Sequence, residues 1–113
     1  MSEEISLDGI RMRTVTTDPG GVVSSDTIVE FSQSDNLISA RYRGGSIREG
    51  FLIGFLDGTH VKFRYVQAAV NGDLDSGISN GTLSRLANGK LQLVENFQWV
   101  SRTGSGSNIF QEL

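Results

Sequence analysis

Turn signals, all but one bearing glycine, recur along this chain at intervals that leave room for strands and little else. They are Asp18-Pro19-Gly20-Gly21, Ser34-Asp35-Asn36, Gly44-Gly45, Asp57-Gly58, Asn71-Gly72-Asp73, Asn80-Gly81, Asn88-Gly89 and Thr103-Gly104-Ser105-Gly106-Ser107, with Asp8-Gly9 near the start. Glycine and asparagine reach positive φ at low cost, and Asn-Gly or Asp-Gly between apolar runs is the strongest short-range hairpin signal. The stretches between read as strands over about 9–17, 22–33, 37–44, 47–56, 59–70, 74–86, 90–101 and 108–113. Only 81–87 has a weak helical alternative. Links this short join antiparallel neighbours, because a parallel crossover needs about a dozen residues or more. The single proline, Pro19, falls in a turn and leaves every strand interior free.

An open meander of eight strands would expose two long edges, and closure removes them. The expected fold is therefore all-β: one antiparallel up-and-down meander of about eight strands closed into a barrel. A β-sandwich is the alternative. The 113 residues fit one domain, 1–113, with 1–8 as a loose N-terminal tail.

Alternation assigns the faces. Val61, Phe63, Tyr65 and Gln67 share one side of their strand, opposite His60, Lys62, Arg64 and Val66. Leu91, Leu93, Glu95, Phe97 and Trp99 share a side of another. Ile38, Ala40 and Tyr42 oppose Leu37, Ser39, Arg41 and Arg43, and Thr27, Val29 and Phe31 oppose Ile28, Glu30 and Ser32. The apolar and aromatic sets should point inward. Segment 47–56 sets Gly50, Leu52 and Gly54 against Phe51, Ile53 and Phe55. Turning the phenylalanines inward fills the core and is the orientation expected. The reverse leaves an outward apolar stripe suited to a homodimer surface.

The inward set suggests a site. Tyr42, Phe63, Tyr65, Phe97 and Trp99 would line an aromatic interior, with Gln67 and Glu95 as its polar groups. Ligand pockets are mostly apolar with a few convergent polar groups. The plainer reading is that the rings simply fill the barrel. Glu95 inside would need an arginine or hydroxyl partner, or would titrate upward. A rim position or a structural ion pair is the simpler expectation for it.

Other chemistry is sparse. With no cysteine and one histidine, neither a thiolate site nor a multi-histidine metal site can be built from one chain. No metal or other cofactor is expected. His60 beside Asp57-Gly58 reads as a solvated loop residue, and Asn71-Gly72-Asp73-Leu74-Asp75 as turn chemistry rather than a calcium loop. Arg41-Tyr42-Arg43-Gly44-Gly45 joins two strands and lacks the helix start of a phosphate site. The net charge of −3 disfavours nucleic acid as a partner. No basic cluster or apolar run of about 20 residues points to a membrane. The acidic Met1-Ser2-Glu3-Glu4 is unlike a secretory signal, so a bacterial cytoplasmic setting is expected.

The stretch from Leu37 to Gly54, with Phe63-Arg64-Tyr65 and Leu91 to Trp99, resembles a family of small uncharacterised bacterial proteins over roughly 10–113. The resemblance implies a meandering barrel of the avidin or calycin type. It is one of fold type and carries no biotin-site residue across. Some members are labelled N-acetylglutamate synthase. Three functions follow as expectations. The first is a non-enzymatic binder of a small, partly apolar ligand in the barrel interior or mouth. The second is an enzyme, by that label or through acid–base work at Glu95. The third is a homo-oligomeric interaction module using Phe51, Ile53 and Phe55.

Overall fold

The computed structural model describes residues 5–113. Eight strands follow in order: β1 (Arg11–Thr17), β2 (Ile28–Ser34), β3 (Leu37–Gly44), β4 (Ile47–Asp57), β5 (His60–Ala69), β6 (Leu74–Arg85), β7 (Leu91–Trp99) and β8 (Ser105–Glu112). Each pairs antiparallel with the next, and β1 pairs with β8, so the sheet closes into a barrel. Among the described residues there is no helix long and apolar enough to cross a membrane. The region 81–87 continues β6 to Arg85 and then turns.

One turn signal and one expected strand start carry other structure. Asn80-Gly81 lies inside β6, where Gly81 pairs with both Val61 and Glu95. Residues 22–27, expected as strand, form part of a loop, and β2 begins only at Ile28. Val22 and Val23 imitate a strand start in sequence because they are apolar for another reason: they pack on the barrel core from above. β8 in turn starts earlier than expected, at Ser105.

Loop 18–27 covers one end of the barrel. Its backbone is tied down by Trp99 Nε1, which donates to Gly20 O at 3.0 Å, and by Ser46 Oγ, which donates to Val22 O at 2.8 Å. The opposite end is closed by the start of the chain. Ile5 and Leu7 are buried in the core, and Leu7 N donates to Gln33 Oε1 at 2.8 Å. The segment expected as a loose tail over 1–8 is thus docked from Ile5 onward, while residues 1–4 lie outside the described residues. Hydrophobic burial explains the docking, since two large aliphatic side chains leave water there.

Alternation holds on most strands. Val61, Phe63, Tyr65 and Gln67 are buried on β5, and Leu91, Leu93, Glu95, Phe97 and Trp99 on β7. Strand β4 takes the orientation opposite to that expected. Leu52 is inside with Gly50 and Gly54, while Phe51, Ile53 and Phe55 are 49%, 57% and 53% exposed. The reason is cross-strand volume. Gly50 pairs with Tyr42 and Gly54 with Phe63, and a Cβ on either glycine would overlap its partner. The aromatic residues of β3 and β5 occupy the space that β4 leaves.

Candidate functional site

The interior is fully packed in its lower half and keeps one small cavity in its upper half. Below, Leu7, Met12, Ile38, Val61, Leu83 and Leu91 are almost fully buried. Above, beneath the loop bearing Gly21, Val22 and Val23, a cavity of about 40 Å³ remains. At about 30 Å³ per water it holds one water or the head group of a small organic molecule.

Each wall residue is placed by its strand's alternation. Tyr42 comes from β3, Phe63, Tyr65 and Gln67 from β5, and Glu95, Phe97 and Trp99 from β7. All seven residues singled out in the sequence therefore border one space. Trp99 packs edge-on against Tyr65 at 5.6 Å and Phe97 at 5.7 Å between ring centroids. At the rim the Arg102 guanidinium sits 4.4 Å from the Trp99 ring centroid and 3.5 Å from Asp75 Oδ2. The indole is thereby held from three sides: by rings below, by a cation beside it and by Gly20 O above.

The polar groups are few. Tyr42 OH donates to Gln67 Oε1 at 2.8 Å. Burial pushes both the Tyr42 and the Tyr65 phenols well above their ordinary value, with the Glu95 charge adding to each. The Tyr65 hydroxyl is buried and has no hydrogen-bond partner. A buried hydroxyl left unpaired is costly, so it is a group waiting for an acceptor or donor.

Glu95 departs from expectation. It is 5% exposed and far from a rim, and its partners are not cationic. Ser79 Oγ donates to Oε2 at 2.5 Å and Asn108 Nδ2 donates to Oε1 at 2.8 Å. The Asn108 amide is itself oriented, because Thr17 Oγ1 donates to its Oδ1 at 2.5 Å. Burial raises the Glu95 carboxyl above the ordinary glutamate range, and the two hydrogen bonds oppose that only in part.

The sequence reading missed Ser79, Asn108 and the loop residues. Asn108 shares its face with Phe110 by simple alternation, which was a usable signal. Ser79 stands between glycines and gave none. His60 lies at the other end of the barrel, exposed beside its turn. Asn71 and Asp73 bond each other across their turn, and among the described residues no group of three metal-ligating side chains occurs.

Comparison with known families adds a finding to this geometry. A family model described as avidin-like protein matches residues 5–113, the whole described chain. The chain belongs to the avidin-like family. Neither curated proteins nor solved structures yield a match. An eight-stranded avidin-like barrel agrees with the meander and closure read from the turn signals, and it places the cavity in the barrel's own interior. Within this avidin-like chain, the detailed wall is set by its own residues, Glu95 and Tyr65 above all.

Proposed function

We propose that this avidin-like barrel is a non-enzymatic binder that takes a small, partly apolar ligand into the space under loop 18–27. One observation carries the reading. In an interior otherwise filled by side chains, the remaining cavity is bordered by aromatic rings, among them Tyr65, whose buried hydroxyl has no partner, and by the polar Gln67, Glu95 and Asn108. Such a wall combines apolar contact with a few orienting polar groups, as small-molecule sites do. Trp99 reports on it directly, being the single tryptophan and part of the wall. Ethanol, acetamide and ethylamine can each seat a head group in a cavity of this size. At least one of them should shift Trp99 emission saturably and raise the melting temperature. If none does, and a crystal structure shows the cavity filled by ordered water after soaking, the reading fails.

A second observation favours self-association through the outer face of β4. Phe51, Ile53 and Phe55 form a stripe that Leu37 and Val66, also exposed, widen across the neighbouring strands. Exposed apolar patches of this kind mark interaction surfaces. A second copy running β4 against itself about a twofold axis at Ile53 would set Phe51 on Phe55. Static light scattering should give twice the chain mass, and Ile53→Asp should return it to one. A wild-type monomer at all concentrations up to the solubility limit overturns this reading.

A further inference from the structure

The unexplained group of the interior is Glu95. Its carboxylate receives one hydrogen bond on each oxygen, from Ser79 and Asn108. A carboxylate has about four acceptor sites, so each oxygen keeps one to spare. No lysine, arginine or histidine borders the cavity, and among the described ion pairs none involves Glu95. A buried anion without a counter-charge is expensive, and hydrogen bonds from neutral groups offset only part of the cost. Yet the surroundings are arranged for an anion. Thr17 fixes the Asn108 amide so that its NH2 group, rather than its oxygen, meets Glu95.

We propose that the ligand of the cavity is a small primary amine, bound as its ammonium ion against the Glu95 carboxylate. The assignment rests on the interior-binding reading above. Two spare acceptor sites call for N–H donors, which a primary ammonium has and a quaternary one lacks. Phe63, Tyr65, Phe97 and Trp99 border the same space, and the electron-rich faces of such rings favour a cation over a neutral group of equal size. One N–H then remains, and Tyr65, whose hydroxyl has no partner, borders the same cavity. A cavity of about 40 Å³ admits an aminomethyl head and little more, so the rest of a longer amine must lie toward the mouth.

The proton balance is simple. When Glu95 is protonated, binding the ammonium ion releases one proton to solvent. Binding the free base moves the same proton from the carboxyl to nitrogen. Affinity for the ammonium therefore rises with pH through the Glu95 titration. The other titratable groups facing Glu95 are Tyr42 on β3 and Tyr65 on β5, and burial keeps both phenols neutral throughout. β6 and β8 contribute Ser79 and Asn108, which do not titrate.

The test compares ethylamine with ethanol, its neutral counterpart, at matched ionic strength, following Trp99 emission and the indole N–H resonance. Ethylammonium should bind about tenfold tighter or more, and its advantage should grow with pH. Glu95→Gln should abolish both the preference for ethylammonium over ethanol and its pH dependence. The wild-type pH profile stands by itself if that variant does not fold. Equal affinities for the two probes, a pH-independent preference, or a preference retained in Glu95→Gln would each overturn the amine assignment while interior binding stands. Failure of both probes to bind overturns the two readings together.

Discussion

Gly54→Val costs the barrel about 3 kcal/mol or more of its stability. Gly54 is inward-facing in the middle of β4 and pairs with Phe63 on β5. A Cβ there would sit 2.5 Å from Phe63 Cα and Phe63 Cβ, and closer still to Lys62 O. Two of these three atoms are backbone in a central ladder, so no rotamer change relieves the overlap. Overpacking a core costs typically about 1–3 kcal/mol when side chains can shift, and more when the backbone must. Total stability of a domain is only about 5–15 kcal/mol. At about 4–8 °C per kcal/mol for a domain of this size, a loss of ~3 kcal/mol lowers the melting temperature by more than ~10 °C. Gly58→Val is the control, because a Cβ at that turn meets nothing within 4 Å; its positive φ makes it strained, but locally. Thermal melts of both variants decide the matter. A Gly54→Val barrel that melts with the wild type would mean that β4 does not face inward through its glycines.

Glu95→Gln changes how stability responds to pH. The native carboxyl holds its proton to higher pH than the unfolded chain does, because burial raises it. As pH rises past the ordinary glutamate range, the unfolded state loses a proton that the native state keeps. Stability therefore falls with pH, by up to about 1.4 kcal/mol per unit, until the native carboxyl itself ionises. Below the ordinary range this group contributes no pH dependence. Glutamine keeps the shape and the contacts with Ser79 and Asn108 and removes the titration. Urea midpoints from about pH 4 to about pH 8 should show the variant gaining on the wild type as pH rises. Parallel curves would show that Glu95 ionises as freely in the barrel as in the unfolded chain.

What could be read in the sequence was set by local rules. Turn dipeptides located most hairpins, and strict alternation on β5 and β7 assigned every inward residue, Glu95 included. The failures lie where a residue's role depends on its cross-strand neighbour. On β4, volume argued for phenylalanines inside, because the sequence does not show that Tyr42 faces Gly50 or that Phe63 faces Gly54. A pair of glycines spaced four apart, matched to aromatic residues on both flanking strands, is the signature of rings folded over a bare backbone. Val22 and Val23 look like strand residues for the same reason that a lid needs them: both settings bury apolar surface. Asn80-Gly81 forms no turn because the β5–β6–β7 ladder runs straight through it. The partners of Glu95 come from β6 and β8, and only the register of three strands reveals them.

The β1–β8 seam has a consequence for how the molecule is made. Seven of the eight strand pairings join neighbours along the chain and can form as hairpins. The eighth joins Met12 to Glu112. Loop-closure entropy grows with the separation of the joined segments, and folds dominated by distant pairings form slowly. On the ribosome, β1 must wait as an open edge until β8 has been synthesised. The cavity, whose wall includes Asn108 and Phe110 from β8, comes into being only at that last step.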